Sequence, residues 1–352
     1  MNSIDTTTCF SLYRMGQLIR RTEEILLDEY AAKQEMRCPM HFCIGQEGAP
    51  TALAPLLRSD DSIVSHYRSH GYYLAKGAPL TEMIAEFHGK ATGSNGGFAG
   101  SMELAHEEAR IYSGAIVGGP IAIAMGIAFA LKYRAAPGIV IAVVGDGSLD
   151  EGVSYEALNL AALHGVPLLT ICENNLYAAH TPEPLRTMSR SLVERVKPFG
   201  MRVERFDGMD IVRLHLQLRD VIDEIRAGGG PRFVEIETYR FCGHVGPEND
   251  DWLEYRTAAE IAAWRRRDPL PALRAEALRL GTSEQVLRQC EAEIENDIAE
   301  ALAAARRDPF PDFHSSLDQV WAQSYSPVVT EFVRGGEAAF DSRQAETRLK
   351  PY

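Results

Sequence analysis

Two oxygen-bearing side chains stand 29 residues apart in the middle of this 352-residue chain. Asp146 lies between two glycines in "VVGDGSLDEG", directly after an apolar run, and Asn175 closes "ICENN". A strand, a crossover helix and the next parallel strand together take about 30 residues. The spacing therefore predicts that both residues lie at one edge of a parallel sheet, with a carboxylate and a carboxamide oxygen converging on one point. Ligands of open α/β sheets bind at that edge. Such hard oxygen donors suit Mg²⁺ or Ca²⁺, and Mg²⁺ takes about six oxygens, completed by phosphates and water. Two plainer readings of the same stretch are weaker. An Asp-Gly hairpin needs a second strand at once, whereas the helical pattern "GVSYEALNLAALHG" follows. A dinucleotide site needs G-x-G-x-x-G, and here the glycines fall at 145, 147 and 152.

The elements that must position these residues are marked on either side. "GIVIAVV" (138–144), "PLLTICE" (167–173), "RVERF" (202–206) and "PRFVEIETYR" (231–240) read as strands. Helical patterns at 152–165 and after 207 separate them, which implies a parallel sheet. Residues 8–35 and "GQEGAPTALAPLL" read as helices, and 60–77 as a strand, a polar loop and a helix. Residues 89–101 hold five glycines, a loop that is either mobile or pressed against something. "GGPIAIAMGIAFALKY" (118–133) reads as a buried helix. After 250 come polar amphipathic helices, one with a capping box at Thr282 and Gln285, then a polar irregular tail. The expected fold is α/β, a central, mostly parallel sheet flanked by helices on both faces. Residues 1–59 form an N-terminal helical segment, 60–250 the ligand-binding α/β domain, and 251–352 a C-terminal helical region with its tail.

Composition removes several function classes. Hydrophobic residues make up 45% of the chain, ample for a core. The formal net charge of −13 repels nucleic acid, and no basic run offsets it. Six cysteines without a C-x-x-C pair point to free thiols in a reducing compartment, the cytoplasm. The N-terminal residues do not read as a secretory signal. The most apolar stretch has about 14 uncharged residues, short of the roughly 20 that span a bilayer.

"GDG" followed by "NN" resembles the thiamine-diphosphate motif. The fuller string "GDGSLDEGVSYEALNLAALHGVPLLTICENNLYA" is similar to the α subunit of the thiamine-dependent first component of two-gene 2-oxo acid dehydrogenases, the pyruvate, branched-chain and acetoin types. "HFCIGQEG", "SHYRSHGYYLAKG", "GGFAGSMEL", "SGAIVGGPIAIAMGIAFALKY", "VEIETYRFCGH" and "YRTAAEI" recur in that family in this order, covering roughly residues 10 to 325. The resemblance implies a thiamine-diphosphate-binding fold. It implies Asp146, Asn175 and the main-chain carbonyl of Tyr177 as Mg²⁺ ligands, with Asn175 also beside the cofactor. It sets Gly147 and Ser148 against the diphosphate, where a helix start favours an anion. It gives the diphosphate to Tyr67 and Arg68 as well, since a guanidinium fork suits phosphate. It places the backbone of Ala115 and Val117 against the aminopyrimidine ring, Ala115 standing where the family commonly has glycine. His41 and His244 match active-site histidines, the natural proton carriers near neutral pH.

Two positions depart from the family. Val245 stands where a regulatory serine is common, and Cys242 replaces the first histidine of that loop. With the acidic "PENDD" they leave the substrate open. In the family the cofactor carries the hard chemistry, and the glutamate that activates it belongs to a β subunit. The resemblance therefore implies an α₂β₂ heterotetramer and, beyond it, a lipoyl acyltransferase that accepts the acyl group. Two alternatives stay open. One is an acetoin- or acyloin-type enzyme, or a split transketolase, on the same scaffold. The other is a non-catalytic structural or regulatory subunit.

Overall fold

In the computed structural model, which describes residues 4–33, 35–189, 191–247 and 250–312, the chain opens with helix α1 (Thr6–Lys33). Leu12, Ile19 and Leu26 recur on its inner face and are fully buried. Helix α2 (Gly48–Leu53) precedes strand β1 (Ser62–His66), buried along its whole length. Helices α3 (His70–Ala75) and α4 (Leu80–Phe87) lead into the glycine-rich loop. That loop is pressed, not free. The buried Glu86 carboxylate accepts the backbone N–H groups of Asn95, Gly97, Ala99 and Gly100 at 2.8–2.9 Å. Strands β2 (Ala105–His106) and β3 (Ile111–Gly114) follow. Helix α5 (Gly119–Tyr133) carries Pro120 in its first turn, where the missing N–H costs nothing.

The Val/Ile run becomes β4 (Val140–Gly145), and helix α6 (Gly152–His164) ends at Gly165 in the left-handed region. Strand β5 (Leu168–Asn174) leads to a small hairpin, β6 (Tyr177–Ala178) with β7 (Thr181–Pro182). Then come α7 (Leu192–Val196), β8 (Arg202–Asp207), α8 (Ile211–Arg226) and β9 (Arg232–Glu237). Helices α9 (Ala258–Arg265), α10 (Pro269–Arg279) and α11 (Glu284–Arg307) finish the unit, which runs to Pro309. The second unit starts at Phe310, and the polar C-terminal tail lies outside the described residues.

The main sheet has seven strands in the order β2-β3-β1-β4-β5-β9-β8. The β2–β3 pair is antiparallel and the others are parallel. As expected, β4 is central, with Val140 to Val144 all fully buried. Ile141 and Val143 face a core shared with α1, α8 and the C-terminal helices. Val140, Ala142 and Val144 face α5 and α6. Covering both faces is what permits a continuous apolar strand, and each fully buried Val or Ile contributes about 1.5–3 kcal/mol.

Three local readings are corrected. The cap of α11 is Ser283, whose side chain accepts the Val286 N–H, while Thr282 is buried beside it. Helix α10 was not read from the sequence, because Pro269 and Pro271 resemble a loop. Asp268 caps it and the first proline sits at its start. Helix α5 is buried on one side only. Ile121, Ala124 and Ala128 pack inward, whereas Ile123 is 57% exposed.

Candidate functional site

Four adjacent parallel strands deliver the candidate residues. Beyond β3 come Ala115 and Val117, beyond β1 Tyr67 and Arg68, beyond β4 Asp146 to Ser148, and beyond β5 Asn175 and Tyr177. All of them line one cavity of about 520 Å³, together with His41 and His244. That volume falls in the ~300–1,000 Å³ range of small-molecule sites. His41 comes from the segment between α1 and α2, and His244 from the loop after β9.

Asp146 opens a tight 3₁₀ turn, Asp146–Asp150, and is 2% exposed. Burial raises its carboxyl pKa, and the nearby Arg186 guanidinium opposes that rise. Arg186 contacts both Asp146 Oδ2 and Asp150 Oδ2. Asn175 Nδ2 donates to Gln46 Oε1 at 3.2 Å, and Asn175 Oδ1 accepts the Tyr177 N–H at 3.2 Å. Gly147 is required by the packing. A Cβ there would lie 2.9 Å from Ala178 Cβ in the hairpin that closes on this turn. Among the described residues no group of three or more His, Cys, Asp or Glu could hold a metal. The oxygens here come instead from one carboxylate, one carboxamide and the backbone.

Arg68 is buried and has carbonyls for partners. Nη1 donates to Phe42 O at 2.6 Å and Nη2 to His244 O at 3.0 Å. The His41 ring lies 4.6 Å from Tyr67 and 5.3 Å from His244, centroid to centroid. Burial, with the charge of Arg68 next, pushes His41 down to about 2 and His244 to about 3. Both are therefore neutral near neutral pH. His41 Nδ1 is buried with no hydrogen-bond partner. The His244 N–H donates to Asp250 Oδ2 at 2.7 Å, and Asp250 Oδ1 also accepts from Tyr255 and Arg256. These contacts hold the loop against the cavity. Val245 is 42% exposed.

Among the lining residues without a role in the sequence reading are Gln46, His66, Glu173 and Arg240. His66 Nδ1 accepts the Arg68 N–H at 3.0 Å, so its proton sits on Nε2, facing Glu173 Oε2 at 3.0 Å. Each of the four lies within a motif already singled out, so proximity was the available signal. No helix among the described residues is long and apolar enough to cross a membrane.

Fold and site together define a parallel α/β protein with a cavity at its strand ends that presents arginines, neutral histidines and oxygen donors. Residues 14–314 match the dehydrogenase E1 component family. The chain is 32% identical over 306 residues to a pyruvate dehydrogenase E1 component subunit alpha of Rickettsia bellii, covering 86% of this chain and 93% of the relative. It is 34% identical over 310 residues to the Zymomonas mobilis protein of that name (87% and 86%). To the chloroplastic subunit alpha-3 of Arabidopsis thaliana it is 34% identical over 291 residues (80% and 67%). The chain belongs to the dehydrogenase E1 component family, whose members use thiamine diphosphate as components of 2-oxo acid dehydrogenases. The resemblance and the enzyme class read from the sequence are borne out.

Proposed function

We propose that this chain is the α subunit of a heteromeric enzyme that decarboxylates a 2-oxo acid with thiamine diphosphate and Mg²⁺ and passes the acyl group to a lipoyl carrier. The observation that carries this is convergence. In a chain of this family, every residue expected at the cofactor lines one cavity at the sheet edge. The donor chemistry fits the group. Asp146, Asn175 and the Tyr177 carbonyl would hold Mg²⁺, and Tyr67, Arg68, Gly147 and Ser148 the diphosphate. Ala115 and Val117 would meet the aminopyrimidine. When bound, the cofactor supplies an electron sink for the leaving carbon dioxide.

The chain's own residues supply the setting. Arg68 neutralises an anion and ties the His41 segment to the His244 loop through carbonyl contacts. His41 and His244 are neutral at the cavity, and His41 Nδ1, which has no hydrogen-bond partner, is left open to a ligand.

A β partner is supported by an apolar surface that begins at the cavity rim. Ile116 is 75% exposed beside the cavity-lining Val117, and Ile123, Phe129, Leu160 and Leu163 are exposed on α5 and α6. An α₂β₂ assembly would cover that face and bring the activating glutamate. The six cysteines are free, which supports a reducing compartment and a cytoplasmic location. Relatives named for pyruvate dehydrogenase make pyruvate the first 2-oxo acid to try. The test is carbon dioxide release from a panel of 2-oxo acids by the chain with its β partner. Release should occur with one of them and fall sharply in His41→Gln. An inert but properly assembled complex would remove this reading.

A further inference from the structure

Arg240 follows β9 and is only 2% exposed, yet it lines the cavity. Its Nη2 donates to Ala179 O at 3.0 Å and to Tyr255 Oη at 3.4 Å. Its Nη1 is buried and has no hydrogen-bond partner. Among the described residues no carboxylate lies within ion-pair distance of it, unlike other buried arginines. Arg20 meets Glu47 and Asp268, Arg232 meets Glu224, and Arg256 meets Asp250. A buried cation without a counter-charge is strongly unfavourable. The cavity holds two of them, because Arg68 likewise has only neutral partners, the Phe42 and His244 carbonyls and the His244 ring. After burial, the charge of Arg240 is the next cause pushing the Arg68 pKa down. An anion between the two would relieve both.

We propose that Arg240 is a second anion-binding residue of this cavity, acting with Arg68 to take the diphosphate of the ligand. This rests on the cofactor reading above. Its placement favours the diphosphate over the carboxylate of a 2-oxo acid. Ala179, to which Arg240 is tied, adjoins the hairpin that begins at Tyr177, and Ala178 of that hairpin packs on Gly147. Arg240 therefore sits at the end of the cavity formed by Asp146, Gly147 and Tyr177.

The experiment is titration of Mg²⁺–thiamine diphosphate, and separately of Mg²⁺–inorganic pyrophosphate, into the full chain with its β partner. Wild type, Arg240→Met and Arg240→Lys are compared. Arg240→Met should weaken both ligands on the order of 10- to 100-fold, the effect of losing a charge-assisted hydrogen bond, and Arg240→Lys should recover part of it. Without ligand, Arg240→Met should melt at or above the wild-type temperature, because the uncompensated cation is gone. Its ligand-induced rise in melting temperature should shrink. A merely structural arginine gives the reverse, a lower melting temperature without ligand and unchanged diphosphate affinity, and that overturns the proposal. Intact diphosphate affinity with a raised KM for the 2-oxo acid overturns it too, by giving Arg240 to the substrate carboxylate. Should the Met variant not fold, Arg240→Gln, which keeps a donor for Ala179 O, carries the comparison. Pyrophosphate binding that depends on Arg240, with no thiamine diphosphate binding in the wild type, would sink the cofactor reading and leave the anion site standing.

Discussion

Arg20 is 8% exposed and Arg68 is 5% exposed, but the chain treats the two differently. Arg20 grips both oxygens of Glu47 at 2.5 and 2.9 Å and reaches Asp268 at 2.9 Å. It ties α1 to the start of α2 and to the cap of α10. Nearby, Glu23 accepts from both His70 and the Cys43 N–H. Arg68 and Arg240 have only neutral acceptors, and around them His41 Nδ1 and Glu173 Oε1 have none. Where a buried arginine serves architecture, as Arg20, Arg232 and Arg256 do, this fold gives it a carboxylate. At the sheet edge the fold leaves buried polar groups open, and an unsatisfied buried group is costly unless a ligand completes it.

The contrast can be broken by mutation. Arg20→Ala strands Glu47, fully buried, without its cation. It should cost about 3–5 kcal/mol of stability, measured by chemical denaturation. Arg68→Met should do the opposite, leaving the denaturation midpoint near wild type while weakening diphosphate binding roughly 10- to 100-fold. If both variants lose stability equally, the distinction between paired and open charge collapses. Arg186 extends the contrast, because it contacts a carboxylate oxygen of Asp146, the proposed metal ligand. Arg186→Gln should raise affinity for Mn²⁺, read by electron paramagnetic resonance, by about 10-fold. Unchanged affinity would mean that the guanidinium does not compete with the metal.

A further expectation concerns pH. His41 and His244 stay neutral in the folded protein down to about 2 and about 3, against a usual 6.5. Below 6.5 the unfolded chain therefore binds more protons than the folded one. Their contribution to stability is full above that pH and is lost as pH falls from 6.5 towards about 2. His41→Asn should flatten part of that slope in denaturation midpoints taken at several pH values.

The central strands were legible because β4 and β5 are Val/Ile/Leu runs bounded by Gly and Pro, and the interval from Asp146 to Asn175 fixed their common edge. Strands β2 and β3 were not legible. "AHEEARIYSG" is short, charged and only partly buried, so no alternation marks it. The outward face of α5 was misjudged for a related reason. An apolar sequence does not say whether its cover is the same chain or another. In the site, residues on a motif could be named from sequence. Arg240 and Glu173 could not be given roles, since their meaning lies in being buried with one polar atom each left without a partner, which only the folded arrangement shows. Arg186 lies 40 residues from Asp146 along the chain, and nothing local marks it as a partner.

Binding of Mg²⁺–thiamine diphosphate in this cavity is proposed to run through Asp146. The direct measurement is calorimetric titration of that ligand into the chain with its β partner, in wild type and in Asp146→Ala. Binding should be saturable in wild type and weaker by more than about 100-fold in the variant, as expected for removal of a metal ligand. No binding with a verified partner, or binding that Asp146→Ala leaves untouched, would contradict it.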